Sequence, residues 1–93
     1  MVGNLVIFVP ESYSFRYGFN KLSLPEGAYR PVLEDEEGVY FESPSKVMSN
    51  AGLHDGGIYI KHTSAQEPYF YMTIPQTTTV LMPKGFRFKL DRI

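Results

Sequence analysis

The chain has 93 residues, of which 43% are hydrophobic and 20% charged, and its formal net charge is −1 at pH 7. This length accommodates one hydrophobic core, so we expect a single all-β domain over residues 1–93. The near-neutral charge argues against attraction of the whole protein to nucleic acid or anionic lipid, and the absence of cysteine excludes disulfides, zinc–thiolate sites and a thiol nucleophile.

The aromatic content favours strands, since seven Phe and seven Tyr are residues that suit a pleated, half-buried surface. Proline and glycine recur every eight to twelve residues or so, the spacing that is typical of antiparallel sandwiches and barrels. We therefore predict an all-β fold of about seven antiparallel strands in a small barrel or sandwich, with one short helix.

The first predicted strand is Leu5–Val9, which Pro10 closes. Its apolar run of about five residues is too short for a membrane span or a signal peptide. An exported or envelope protein trimmed of its signal would begin in the same way, so the sequence leaves the compartment open.

The second predicted strand spans residues 12–20 and carries an aromatic side chain at every second position. Side chains two residues apart lie on the same face of a strand. We expect this aromatic face to enter the core: Tyr13, Phe15, Tyr17 and Phe19.

A turn at Leu24–Gly27 precedes a third strand, Ala28–Glu34, in which Pro31 predicts an edge position or a bulge. The acidic run Glu34–Glu37 then connects this strand to Val39–Glu42 as a solvated hairpin loop. We expect Gly38 to supply a positive φ there. Consecutive acids on a loop tip match neither a calcium loop nor a pair of catalytic carboxylates facing each other across a cleft.

The segment SPSKVMSNAG is the one helix candidate, predicted near residues 44–50. Ser43 is a good N-cap, Pro44 fits the first helical position, and Gly52 fits the residue beyond the helix end.

Strands are also predicted in the second half of the chain, with a loop at residues 64–68 and a tight turn at residues 82–85. These strands are Gly57–His62, Tyr69–Ile74, Thr77–Met82 and Gly85–Asp91.

Catalytic and metal-binding motifs are absent. His54, Asp55 and His62 have no ligand spacing that we can justify for a metal. Ser43 and Lys46 have the Ser-x-x-Lys spacing without its partner motifs, and no nucleophile elbow or phosphate-binding glycine loop is present. The sequence therefore predicts no enzyme, no cofactor and no metal.

The later strands alternate phenylalanine and aliphatic residues on one parity with tyrosine and basic residues on the other. This pattern predicts a dry face and a wetter face that carries a binding site formed by Tyr40, Tyr59, Lys61, Tyr69, Tyr71 and Arg87. The alternative is that these tyrosines line a second core layer.

We expect a non-enzymatic recognition or assembly module that binds another protein. The alternatives are a module for glycans or single-stranded nucleic acid, and a small hydrolase without a recognisable motif. The charge balance disfavours nucleic acid, whereas no sequence feature separates a protein partner from a glycan. The oligomeric state is left open.

Overall fold

The protein is described here by a computed structural model that covers residues 4–72 and 78–92, with the backbone alone at 64–67, 71, 72 and 78. Over these ranges the chain forms two antiparallel sheets of seven and four strands. The strands are β1 (Leu5–Val9), β2 (Tyr13–Tyr17), β3 (Asn20–Leu24), β4 (Gly27–Glu34), β5 (Gly38–Glu42), β6 (Val47–Ser49), β7 (Gly52–His54), β8 (Gly56–Lys61), β9 (Ser64–Met72), β10 (Thr78–Leu81) and β11 (Lys89–Arg92). The all-β prediction is confirmed, with more and shorter strands than predicted.

The large sheet has the strand order β10-β9-β8-β5-β4-β1-β11, and the small sheet has the order β2-β3-β6-β7. In the part of the chain that the structure describes, neither sheet closes into a barrel. Short connections join neighbouring pairs such as β4–β5 and β8–β9 in the large sheet and β2–β3 and β6–β7 in the small sheet, because antiparallel strands need only a tight turn between them.

Buried side chains of both sheets form one hydrophobic core. Phe15 of the small sheet packs edge to face against Phe70 of the large sheet, with ring centroids 5.7 Å apart. The core comprises Ile7, Val9, Phe15, Leu22, Leu24, Tyr29, Val39, Phe41, Val47, Ile58, Ile60, Phe70, Met82 and Phe86. The two sheets therefore pack on each other through their inner faces, and each keeps an outer face.

The predicted strand over residues 12–20 is instead the hairpin β2–β3. Gly18 has a φ of 60° and Phe19 has a negative φ, the pattern of a type II′ two-residue turn. The prediction of a core face is correct for Phe15 and wrong for Tyr17 and Phe19, which are 52% and 102% exposed. The error arises because aromatic residues continue at every second position of the sequence into the turn, where their side chains no longer contact the core.

The predicted helix near residues 44–50 is wrong. The segment forms the hairpin β6–β7, with Gly52 at a φ of 113°. The Ser43 hydroxyl donates to the carbonyl of Ser45 at 2.5 Å and so favours a bend at Pro44 instead of a helical start. Val47 is buried and Met48 is exposed, so burial alternates as in a strand. A two-turn helix is marginal on its own and would need an apolar face here.

Within the described ranges, no helix is long and apolar enough to cross a membrane.

Pro31 marks a register shift between Pro31 and Leu33, so the predicted bulge is present, although β4 lies inside the sheet. The predicted loop at 64–68 is wrong, because β9 begins at Ser64. Thr73, Ile74 and Thr77 of the predicted strands lie outside the described residues. The predicted turn at 82–85 is present, with the Phe86 amide donating to the Pro83 carbonyl at 3.1 Å, but β11 begins only at Lys89.

Candidate functional site

Three tyrosines lie side by side on the outer face of the large sheet. Tyr40 of β5 is directly opposite Tyr59 of β8, and Tyr59 is directly opposite Tyr69 of β9. All three are half-buried and none belongs to the core. We call this surface the tyrosine face. Their strand neighbours Phe41, Ile58 and Phe70 are fully buried, so the predicted alternation of dry and wet faces is present in these strands.

The other predicted site residues divide into two groups. Lys61 lies on the tyrosine face, with its Nζ 5.0 Å from the ring centroid of Tyr69. Tyr71 pairs with Gly57 and Thr79, which places its backbone position on the same face. Arg87 is exposed in the connection between β10 and β11, outside the strands that carry the tyrosines. Arg87 is therefore not among the residues that strand pairing brings to the tyrosine face.

The acidic loop, residues 35–37, lies at the rim of the tyrosine face. Oδ1 of Asp35 accepts hydrogen bonds from the backbone amides of Glu37 and Gly38, both at 2.9 Å. The same oxygen accepts a hydrogen bond from the hydroxyl of Tyr59 at 2.8 Å. The three loop residues are exposed, as predicted for a solvated turn, but the Asp35 carboxylate joins the loop to the face.

This role of Asp35 was not predicted from the sequence. The available signal was an Asp followed by a Gly three residues later, since Asp side chains often accept hydrogen bonds from backbone amides two and three residues on. That pattern predicts a folded turn. The hydrogen bond to Tyr59 depends on strand pairing between distant segments and has no local signal.

The shared hydrogen bond changes the acidity of both groups. Backbone hydrogen bonding from Gly38, followed by the hydroxyl of Tyr59, holds the pKa of Asp35 below its ordinary value. Desolvation, followed by the hydrogen bond to Asp35, raises the pKa of Tyr59 to about 12. At neutral pH the site therefore contains an ionised Asp35 carboxylate that accepts a hydrogen bond from the neutral Tyr59 hydroxyl.

Gly38 allows the loop to approach β8. The predicted positive φ is wrong, because Gly38 is not among the glycines with positive φ. A Cβ at this position would lie 2.3 Å from the carbonyl oxygen of Ile60. The need for glycine is therefore steric, and this close approach brings Asp35 within reach of Tyr59.

His62 holds the loop from the other side. Its backbone amide donates to the carbonyl of Glu37 at 2.9 Å, and its Nε2 lies 3.3 Å from the Asp35 carbonyl oxygen. Nε2 is also 3.5 Å from a carboxylate oxygen of Glu34. The loop is thus fixed at both ends, which favours a preformed site.

A shallow depression of about 350 Å³ lies between the acidic loop and the tyrosine rings. It is lined by Asp35, Glu37, Tyr59, Lys61, Tyr69 and Thr79. The lining combines aromatic surface with two acidic side chains and one basic side chain, and can hold a polar or cationic group against a ring. Glu37 and Thr79 were not predicted as site residues.

Of the residues considered for catalysis or metal binding, His54 has a buried Nε2 without a hydrogen-bond partner among the described residues, and the others have contacts of a different kind. Ser43 bonds to the backbone of Ser45, and Lys46 forms an ion pair with Asp55. Among residues 4–72 and 78–92, no group of three His, Asp or Glu side chains is placed to hold a metal ion. Comparisons of the chain with protein-family models, curated proteins and solved structures gave no match.

Proposed function

We propose that this protein is a non-enzymatic recognition module that binds a segment of another protein on the tyrosine face. The observation that supports this most directly is the row of three half-exposed tyrosines on neighbouring strands, bordered by the acidic loop. Tyrosine provides a large contact area with a polar tip, and only two side-chain torsions have to be ordered on binding.

The charges of the depression favour a basic side chain in the partner. Asp35 and Glu37 outnumber Lys61, so the lining carries a net charge of about −1 at neutral pH. An arginine of the partner would stack on the ring of Tyr59 or Tyr69 while its guanidinium faces the carboxylates. Lys61 already occupies part of the Tyr69 ring. The space next to Tyr59 is therefore the better position for an incoming guanidinium.

The site is organised before binding. The Asp35 carboxylate has three hydrogen bonds to its own protein, and His62 holds the far side of the loop. Binding to a preformed surface requires less ordering of side chains and loops, which increases affinity for a given contact area.

A glycan is the second candidate, because the lining of the depression favours it specifically. Aromatic rings beside carboxylate and hydroxyl groups can stack on a sugar ring and hydrogen-bond to its hydroxyls. The two acidic residues disfavour nucleic acid, since a phosphate backbone would be repelled there.

Selection of peptides from a random library on the purified protein tests the proposal. We expect the selected peptides to contain arginine and to lose binding to the double variant Tyr59→Ala with Tyr69→Ala. Tyr17→Ala is a matched control, because Tyr17 is 52% exposed on the other sheet. A glycan array probed in parallel tests the second candidate. Peptides that bind the double variant as well as the unchanged protein would contradict the proposed site.

A further inference from the structure

The outer face of the small sheet is the second unusual surface of the molecule, and it is independent of the tyrosine face. Phe19, at the tip of the β2–β3 hairpin, is 102% exposed. Tyr17, on the same side of β2 as the buried Phe15, lies beyond the edge of the core and is 52% exposed. The second position of a two-residue turn is normally taken by Asn, Asp, Ser or Gly. The turn itself therefore does not explain a phenylalanine here.

The hairpin tip is held in place by Asn50 from the β6–β7 turn. Its Nδ2 donates to the carbonyl of Phe19 at 2.7 Å, and its Oδ1 accepts from the amide of Lys21 at 3.2 Å. These two bonds join the tips of both hairpins of the small sheet. Phe19 is therefore presented on a fixed support.

Basic residues accompany the exposed aromatic residues. Arg16 of β2 lies directly opposite Lys21 of β3, and both are exposed. Like charges directly opposite each other destabilise a hairpin. This arrangement gains stability when an anionic partner lies against it.

The small sheet contains no carboxylate that could balance these charges. Its strands have the sequences YSFRY, NKLSL, VMS and GLH, and its two turns add only Gly, Phe, Asn and Ala. The small sheet is therefore basic at neutral pH, although the whole chain has a net charge of −1. A local surface of this kind does not follow from the net charge.

The outer face of the small sheet is also apolar. Met48 and Leu53 are cross-strand partners that are 53% and 60% exposed. Exposed apolar and aromatic groups beside basic side chains, without acids, are the combination that binds the interface of an anionic bilayer. A nucleic acid would use the charges and could stack a base on Phe19, but it would gain little from Met48 and Leu53.

We propose that the small sheet docks on a bilayer that contains anionic phospholipids. Phe19 enters the interfacial region, Arg16 and Lys21 lie at the level of the headgroups, and Met48 and Leu53 lie against the same surface. Because the inner faces of the two sheets pack together, the tyrosine face points away from the bilayer and stays open to a partner.

Flotation with phospholipid vesicles tests the docking. We expect binding to vesicles of phosphatidylglycerol and phosphatidylcholine and none to phosphatidylcholine alone. Phe19→Ser should weaken this binding about tenfold or more, because a buried phenylalanine side chain is lost from the interface. Leu33→Ser is the control, since Leu33 is 65% exposed on the large sheet, and we expect no change.

The charges are tested in the same assay. Replacing Arg16 and Lys21 together by glutamine should weaken binding roughly 25-fold, the loss expected for two basic residues near an anionic surface. The double variant Lys84→Gln with Lys89→Gln removes the same charge from exposed positions elsewhere and should bind as the unchanged protein does.

Insertion is tested by fluorescence. The chain has no tryptophan, so Phe19→Trp creates a single reporter. Its emission should shift to shorter wavelength with anionic vesicles, and that of Leu33→Trp should not. Failure to bind anionic vesicles at low salt would overturn the proposal. Equal losses in the control variants would overturn it too. Binding without the emission shift would also overturn it, because the protein would then adsorb by charge alone without insertion of residue 19.

Discussion

The hydroxyl of Tyr59 donates a hydrogen bond of 2.8 Å to Oδ1 of Asp35, and this bond connects the β4–β5 loop to the middle of β8. The backbone amides of Glu37 and Gly38 donate hydrogen bonds to the same oxygen. The carboxylate thus organises its own loop and orients a ring of the tyrosine face. Stability at the extremes of pH and ligand binding should both depend on this pair.

The first prediction concerns high pH. The pKa of Tyr59 is raised from 10.0 to about 12, so the stability that it contributes is present below pH 10 and is lost as the pH rises to about 12. The pKa of Tyr29 is also raised to about 12, mainly by burial, so the unchanged protein has two such groups. Tyr59→Phe should therefore lose less stability across this range, as measured by urea midpoints. Tyr17→Phe is the control, and parallel curves for all three proteins would refute the assignment.

The second prediction concerns low pH. The pKa of Asp35 lies below its ordinary value of 3.8, so its stabilising effect is present above that value and is lost as the pH falls through the folded-state pKa. Asp35→Ala should lower the melting temperature at pH 7, and its difference from the unchanged protein should shrink in acid. Glu36→Ala, one residue away on the same loop, should have little effect. A difference that stays constant with pH would show that the carboxylate charge is not involved.

Much of the large sheet was predictable, because periodicity is a local signal. The alternation of Tyr59 with Ile58 and Ile60 gives the buried and exposed faces directly, and the fold confirms it. The turn at Pro25 and Glu26 and the bulge after Pro31 follow from the restrictions that proline places on the backbone. These features do not depend on residues far away in the chain.

The small sheet was not predictable in this way. The alternation of aromatic residues through 12–20 gives no indication of where the chain reverses. Gly18 is the only residue in this stretch that indicates a turn. The cap and proline pattern at Ser43 and Pro44 is the same for a helix start and for a bend, and the burial of Val47 in the shared core decides between them. The bond between Asp35 and Tyr59 likewise depends on tertiary pairing.

The third prediction concerns the core. Phe70 is fully buried and contacts Phe15 across the two sheets, so Phe70→Ala should cost about 3–5 kcal/mol of unfolding free energy. Phe88 is only partly buried at the margin of the core, and Phe88→Ala should cost less. Tyr69→Ala, the neighbour of Phe70 on the outer face, should cost least. Urea unfolding of the three variants measures this order, and equal losses would mean that the two faces of β9 are buried alike.

The fourth prediction concerns two glycines of the large sheet. A Cβ on Gly38 would lie 2.3 Å from the Ile60 carbonyl oxygen, and one on Gly57 would lie 2.0 Å from the carbonyl oxygen of Phe41. Either alanine variant must displace backbone, so we expect losses of about 1–3 kcal/mol or more. Gly85→Ala is the control, since its nearest neighbour would be the Tyr13 hydroxyl at 3.8 Å. Thermal melts that rank Gly85→Ala with the other two would contradict the close approach of β5 to β8.

The last prediction separates the rings of the tyrosine face from the bond that orients them. Tyr59→Phe keeps the ring but loses the bond to Asp35, so a selected basic peptide should bind this variant more weakly. Tyr59→Ala with Tyr69→Ala removes both rings and should weaken binding about 30-fold or more, since a central interface residue typically contributes 2 kcal/mol or more. Calorimetry measures both affinities, and an unchanged circular-dichroism spectrum controls for folding.

In the complex, slowed amide exchange should appear in β8, β9 and the acidic loop, because the bond between Tyr59 and Asp35 makes them one surface. Protection confined to β11 or to the small sheet would place the partner elsewhere and refute the tyrosine face as the binding site.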